Sequence, residues 1–279
     1  MEKHEILPVL EEVSAYVADF TVGFAIVRTY DGIQDAYPAG SGSLVTVGSV
    51  HGILTAAHVL KELPDKGEVG LVRFPRVQRF AEKLTIDMEH VDKLTIGAAP
   101  FGAEGPDLGF LRLWPEVLGT LKARGNAFFN LWKRRKSVLC GDHPDLRCFD
   151  GLSGMIAEWT TDLPPEERGT RKKRFRALFG VGMVIGKRES NGFDLFDFEV
   201  TYGQSSVSPD SFEGMSGGAL WRVYCTKDDN GQTSMAEKKM FGVAFHQSDL
   251  SDQKRIITCH GPRSVYGPLI EAIREKWPE

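Results

Sequence analysis

Short apolar stretches separated by glycine-rich turns run through most of this chain, and they constrain its fold more than any other feature. Residues 21–30 (TVGFAIVRTY), 108–114 (LGFLRLW) and 193–202 (FDLFDFEVTY) each have the length of one strand, and the last alternates apolar and polar side chains. Many short strands joined by tight turns are typical of antiparallel sheets and barrels. The sequence therefore predicts an all-β protein with a few helical segments.

Three segments depart from this pattern. Residues 7–18 place apolar side chains at helical spacing just after Pro8 would open a first turn, and residues 268–277 carry a similar stripe. Residues 115–136 have the composition of a partly helical connector. The predicted order is an N-terminal helix, a β half, a connector, a second β half and a C-terminal helix.

Charge and composition exclude several classes of protein. The chain has 279 residues and a net charge of −4, which does not favour a general nucleic-acid binder. Its start lacks the basic and apolar regions of a signal peptide, and no apolar run approaches the roughly 20 residues that span a bilayer. We therefore expect a cytoplasmic protein with no membrane partner.

The cysteines and basic runs give weaker signals. The four cysteines are expected to be reduced thiols in the cytoplasm, and Cys140, His143 and Cys148 fit no common zinc spacing. No metal or other cofactor is therefore expected. Residues 133–136 and 168–176 are rich in Lys and Arg, which would suit phosphate binding, but solvated loops explain them better in an acidic chain. Nucleic acid is the less favoured partner.

A serine surrounded by glycines is the strongest chemical signal. It lies in residues 211–221 (SFEGMSGGALW), where Gly214, Gly217 and Gly218 flank Ser216. A serine hydroxyl attacks a carbonyl only when a base takes its proton and N–H groups stabilise the resulting oxyanion. Glycines allow the chain to turn tightly around such a serine, but they also occur in ordinary turns. Catalysis therefore requires partners elsewhere in the chain.

Two residues are the best candidates for those partners. His58 follows an apolar run in TAAHV, where small neighbours leave room for a catalytic imidazole. Asp107 comes directly before the apolar residues 108–114, where a carboxylate would be partly desolvated at the edge of a core. Asp87 and Asp92 are rival acids in a more polar context. A partly buried structural histidine and a turn aspartate are the alternatives for His58 and Asp107.

In the order His58, Asp107, Ser216 the chain resembles the trypsin-like (chymotrypsin-fold) serine peptidases, as a bacterial-style intracellular member. The resemblance rests on GSGSLVTVGSVHGILTAAHVL, PDLGFLRL and DSFEGMSGGALW, and extends over roughly residues 22–279. It implies two antiparallel six-stranded β-barrels with the active site between them. Ser216 would be the nucleophile, His58 the general base and then acid, and Asp107 the residue that orients His58. The N–H groups of Gly214 and Ser216 would form the oxyanion hole.

The same resemblance implies a division of the chain into five parts. They are an N-terminal helical extension (1–21), a β-barrel with His58 and Asp107 (22–114), a connector (115–136), a β-barrel with Ser216 (137–265) and a C-terminal helix (266–279).

Substrate recognition is also implied by the resemblance. Asp210 lies six residues before Ser216, where an aspartate would form the floor of the primary specificity pocket and favour cleavage after Arg or Lys. An exposed turn is the alternative for Asp210. Phe245, His246 and Gln247 would pair with the substrate backbone as an added strand. His246 is a second candidate for recognising an acidic side chain.

Two departures from the family pattern bear on activation. Met215 stands where many secreted relatives have an aspartate that pairs with a newly cleaved N-terminus, and the disulfide beside the catalytic histidine is missing. Both fit an intracellular enzyme that needs no N-terminal cleavage. A regulatory protein partner or a conformational switch is a hypothesis that the extra N-terminal helix motivates.

Three other functions compete with a serine endopeptidase. Residues 214–218 also satisfy the G-x-S-x-G elbow of α/β-hydrolases, but no apolar strand precedes them and no helical pattern follows. A peptidase-shaped binding module without activity is the main alternative, although all three triad residue types are present. A nucleic-acid binder would show steeply salt-dependent binding.

Overall fold

The computed structural model describes residues 3–74, 82–97, 102–141, 143, 145–163, 172–202 and 208–278. These residues form two antiparallel β units, with a helix at each end of the chain. The predicted mostly β class is confirmed. Residues 168–171 of the second basic run lie outside the described residues.

The first β unit is an antiparallel sheet of seven strands in the order β5-β4-β1-β2-β3-β7-β6, with the two-residue strand β8 parallel to β2. Its strands are β1 (Thr21–Tyr30), β2 (Ile33–Val47), β3 (Val50–Thr55), β4 (Glu68–Arg73), β5 (Glu82–Asp87), β6 (Val91–Ile96), β7 (Leu108–Leu113) and β8 (Phe129–Asn130).

The second β unit contains a closed six-stranded barrel in the order β12-β13-β16-β15-β14-β9, and β10 and β11 form a separate hairpin. Its strands are β9 (Arg147–Met155), β10 (Thr161–Leu163), β11 (Lys172–Arg174), β12 (Ala177–Ser190), β13 (Phe193–Thr201), β14 (Ala219–Lys227), β15 (Thr233–Gln247) and β16 (Lys254–His260).

The two units therefore differ in how their strands close. The second matches the expected six-stranded barrel, whereas the first has one strand more and its described strand path stays open between β5 and β6. Those two strands are joined by the 3-10 turn Met88–His90, which reverses the chain without a ladder between them.

The helices begin and end close to the predicted segments. They are α1 (Lys3–Ala18), α2 (Ala57–Glu62), α3 (Pro115–Ala123), α4 (Leu131–Leu139), α5 (Pro262–Ser264) and α6 (Ile270–Lys276), with the π-helical turn Val265–Leu269 joining the last two. A second 3-10 turn covers Ala157–Trp159. None of the helices in the described ranges is long and apolar enough to cross a membrane.

Helix α1 belongs to the core. Its residues Val9, Val13 and Val17 are buried, and the aromatic rings of Phe20 and Phe129 pack against Trp221 of β14. Since Phe20 and Phe129 belong to the first half of the chain and Trp221 to the second, this cluster joins the two β units.

Candidate active site

Strand pairing brings the predicted base and acid together. His58 lies in the first turn of α2, three residues after β3 ends, whereas the sequence pattern had placed it at the end of an apolar strand, where a turn begins. Asp107 directly precedes β7, and β3 pairs with β7 so that Thr55 lies opposite Gly109. The register of these two strands therefore sets His58 beside Asp107.

Asp107 holds His58 through two hydrogen bonds. One Asp107 carboxylate oxygen lies 2.6 Å from His58 Nδ1, and the other accepts the His58 backbone N–H at 2.9 Å. The Asp107 side chain is 1% exposed and the His58 side chain 27% exposed. A buried carboxylate that accepts from Nδ1 leaves Nε2 as the proton acceptor on the side of the ring that solvent reaches.

A second histidine, which the sequence did not indicate, forms a hydrogen bond with the backbone of Asp107. His260 of β16 is fully buried, and its Nε2 accepts the Asp107 backbone N–H at 2.9 Å. Its ring stacks on Phe245 with centroids 4.5 Å apart. Burial lowers the pKa of His260 from 6.5 to about 4. His260 is therefore the neutral imidazole that this hydrogen bond requires.

Ser216 lies in a tight loop that leads into β14 and packs on the first β unit. Its carbonyl oxygen accepts the Ser41 N–H at 2.7 Å, and a Cβ on Gly40 would meet both the Val59 side chain and, at 3.3 Å, this same Ser216 oxygen. Because Val59 follows His58 directly, Ser216 lies beside the start of α2. Within the described residues the Ser216 hydroxyl makes no hydrogen bond, so the serine is near the His58–Asp107 pair but is not linked to it.

The backbone around Ser216 presents two unused donors. The Glu213 carbonyl accepts the Ala157 N–H at 2.9 Å, and in a trans peptide this turns the Gly214 N–H in the opposite direction. In the described part of the chain neither the Gly214 N–H nor the Ser216 N–H has an acceptor. Two neighbouring backbone N–H groups without partners can stabilise a developing oxyanion.

Ser41 fixes this loop against both β units, and sequence reasoning did not single it out. Its hydroxyl donates to the Gly214 carbonyl at 2.6 Å and accepts the Met155 N–H at 2.7 Å. Its carbonyl accepts the Thr55 hydroxyl at 2.6 Å. The only signal in the sequence is the small-residue run GSGS at 40–43, which allows close backbone approach.

The predicted substrate-binding residues occupy different environments. Asp210 is exposed, and the Glu158 carboxylate accepts its backbone N–H at 2.8 Å. This is the exposed-turn alternative, so burial gives no support to Asp210 as the floor of a pocket. Phe245 is buried against His260, His246 is exposed, and Gln247 is half-buried with its Oε1 accepting the Phe212 N–H at 2.9 Å.

The rival acids are used elsewhere. Asp87 accepts the Glu89 N–H and Asp92 lies 3.5 Å from Arg112, both on the surface. His143 contacts Glu237 at 2.7 Å, and the described residues contain no cluster of three or more side chains that would hold a metal ion. Lys133–Lys136 lie on α4, on the outer surface of the fold.

Comparisons with known proteins give only distant structural likeness. No protein-family model matches the chain, and no curated protein matches it. Among solved structures, a serine-to-alanine mutant of Rv3671c from M. tuberculosis H37Rv in an inactive form aligns with a TM-score of 0.42 at 14% identity, covering 98% of this chain and 95% of that chain. The Rv3671c protease, also in an inactive form, aligns with a TM-score of 0.40 at 15% identity, covering 95% and 94%.

Proposed function

We propose that this protein is a serine endopeptidase of the trypsin-like type, acting through Ser216, His58 and Asp107. The observation that carries the proposal is a buried carboxylate at 2.6 Å from a partly exposed imidazole, beside a serine whose N–H, like that of Gly214, has no acceptor among the described residues. Base, nucleophile and oxyanion donors are the parts that acyl transfer needs.

The reaction proceeds in two steps. His58 Nε2 takes the Ser216 proton as Oγ attacks the substrate carbonyl, and the Gly214 and Ser216 N–H groups stabilise the oxyanion. The proton passes from His58 to the leaving amine, the peptide bond breaks and an acyl-enzyme remains. Water, deprotonated by His58, then attacks the acyl carbonyl, and His58 returns the proton to Ser216 Oγ as the ester bond breaks and the acid product leaves. Because the Ser216 hydroxyl makes no hydrogen bond within the described residues, we expect its hydrogen bond to His58 to form on substrate binding, as is common for catalytic contacts.

The end of β15 offers a place for the substrate backbone. β14 pairs with β15 only as far as Val243. The next residue of β15, Ala244, accepts the Gly217 N–H with its carbonyl and donates its own N–H to the Gly218 carbonyl. Phe245, His246 and Gln247 therefore have an unpaired edge on that side. An extended peptide can add there as a strand, next to the nucleophile.

Labelling with a fluorophosphonate probe tests the proposal. We expect wild-type protein to be labelled and to cleave a mixture of unstructured proteins, and Ser216→Ala to do neither. Ser251→Ala, which changes an exposed serine away from the site, is the matched control and should behave as wild type. Absence of labelling in correctly folded wild type would favour the alternative, a peptidase-shaped binding module without activity.

The compartment in which the protein acts and the way it is regulated stay predictions. We propose a cytoplasmic enzyme. The hypothesis that α1 acts as a regulatory element gains no support from its packing, because its apolar face is part of the core. A regulatory protein partner would have to act elsewhere on the molecule.

A further inference from the structure

Arg255 of β16 lies where the Ser216 loop meets the end of β15. Its Nη1 donates to the Ser248 carbonyl at 2.7 Å and to Gln247 Oε1 at 3.3 Å, and its Nη2 donates to the Asp210 carbonyl at 2.9 Å. The half-buried guanidinium thus touches both segments that are expected to contact the residue before the scissile bond.

The charge of Arg255 has no counter-ion. All three of its acceptors are neutral, and no carboxylate in the described residues forms an ion pair with it. By contrast, Arg188 faces Asp197 at 2.5 Å and Arg222 faces Asp150 at 2.7 Å in the same barrel. A half-buried arginine without an anion is unusual, since desolvation of the charge is then not offset.

Sequence excludes one further source of a counter-ion. Residues 203–207 (GQSSV), the next segment along the chain before this loop, contain no acidic side chain. The neighbouring Lys254 is already paired with Glu199 at 3.1 Å, so Glu199 is engaged. The carboxylate of Asp210 is exposed and only its carbonyl contacts Arg255.

The guanidinium also keeps hydrogen-bonding capacity. Of the five N–H donors of an arginine, the structure uses three, and the buried Nε has no acceptor in the part of the chain that is described. The planar fork of an arginine matches a carboxylate better than any neutral acceptor. An incoming acidic side chain would accept from the remaining Nη2 donor and offset the charge, whereas the buried Nε lies out of its reach.

Arg255 is at a suitable distance from the nucleophile. Ala244 bonds to Gly217 and Gly218, next to Ser216, and Gln247 is three residues further along β15. At about 3.3 Å per residue in a strand, Gln247 and the Arg255 that touches it lie about 10 Å along β15 from Ala244, which contacts the Ser216 loop. The side chain of a bound substrate residue spans much of that distance.

We propose that Arg255 determines specificity, and that the enzyme cleaves after glutamate or aspartate. This inference rests on the proposed peptidase function and replaces the preference for Arg or Lys that Asp210 would have given. Exposed His246, beside Gln247, would add to the same preference when protonated.

Steady-state kinetics on matched fluorogenic peptides test the proposal. The peptides differ only in the residue before the scissile bond, which is Glu, Gln, Lys or Phe. We expect kcat/KM of wild type to be about tenfold or more higher for Glu than for Gln, because a charge-assisted hydrogen bond is lost with the neutral amide. The Glu rate should fall as salt concentration rises.

Variants of Arg255 make the assignment specific. Arg255→Met should cleave the Glu and Gln peptides at similar rates. Arg255→Lys keeps the positive charge but not the planar guanidinium, so it should lower the ratio of the Glu rate to the Gln rate only in part. This variant replaces Arg255→Met in the test if the methionine variant does not fold. Lys254→Met, the adjacent and already paired residue, is the control and should keep the wild-type ratio.

The fluorophosphonate probe separates the two proposals. Labelled wild type that prefers Lys, or that does not distinguish Glu from Gln, overturns the role of Arg255 and leaves the peptidase function standing. An unchanged Glu to Gln ratio in Arg255→Met does the same. Folded wild type with neither labelling nor cleavage overturns both.

Discussion

At the scale of single residues, the hydrogen bonds of Asp107 orient the His58 ring. One carboxylate oxygen accepts from the backbone and the other faces Nδ1, which favours the tautomer with its proton on Nδ1 and with Nε2 as the base. This arrangement depends on both oxygens being acceptors.

Asp107→Asn should therefore remove activity while leaving the fold intact. The amide oxygen would still accept the His58 N–H, but the amide nitrogen would donate to Nδ1 and move the ring proton to Nε2. We expect kcat to fall by about 10⁴-fold. Hydrolysis of an activated ester measures the loss, and Asp92→Asn, at a surface ion pair, is the control that should keep wild-type kcat.

His260 gives the folded state a pH dependence of its own. Burial lowers its pKa to about 4 from 6.5, so the folded protein keeps it neutral while the unfolded chain takes up a proton as pH falls below 6.5. The unfolded state then binds more protons, and stability falls between about pH 6.5 and pH 4 by about 3 kcal/mol.

His260→Gln should lose this part of the pH dependence. A glutamine oxygen can still accept the Asp107 N–H, but it does not titrate. The free energy of unfolding in urea, measured at pH 7 and pH 4.5, should drop less for the variant than for wild type. An equal drop in both proteins would assign the acid sensitivity to other groups.

At the scale of elements, the sequence predicted the mostly β class and the terminal helices, whereas the triad of His58, Asp107 and Ser216 stays a prediction. Alternating apolar runs and glycine turns are local signals, and Asp107 stands out because it precedes a continuous apolar strand. His260 and Arg255 could not be found in this way. His260 contacts Asp107 and Arg255 contacts Asp210, both more than forty positions away in the chain, and only the folded arrangement of the strands brings these residues together.

The loop that carries Ser216 depends on glycine at position 217. Gly217 has φ +86°, and a Cβ there would overlap the Ser41 carbonyl oxygen and the Thr55 hydroxyl. Both atoms belong to the hydrogen bond that ties β2 to β3, so neither can move freely. The backbone at this position is constrained by sterics as well as by conformation.

Gly217→Ala should consequently destabilise the protein by about 2 kcal/mol or more and displace Ser216. We expect a lower melting temperature and a strong loss of fluorophosphonate labelling. Gly231→Ala is the matched control. It also has positive φ (+77°), but nothing lies near its Cβ position, so labelling should persist.

At the scale of the whole molecule, the site requires both β units, because His58 and Asp107 come from the first and Ser216 from the second. The contacts between the units include the Ser41 hydrogen bonds, the bond between Asp107 and His260, and the aromatic cluster around Trp221, onto which α1 packs. Stability and catalysis are therefore expected to depend on the same junction.

Val13 of α1 offers a test of that dependence. It is 0% exposed, so Val13→Ala removes two buried methyl groups and should lower the free energy of unfolding by about 2 kcal/mol. If α1 is part of one cooperative core, unfolding followed by tryptophan fluorescence and by loss of labelling should shift together in urea. Glu12→Ala, at the adjacent exposed position, should shift neither. A Val13→Ala variant that loses helix signal while labelling keeps its wild-type midpoint would instead make α1 an independent attachment, and the junction would then have to be maintained by Ser41 and the barrels alone.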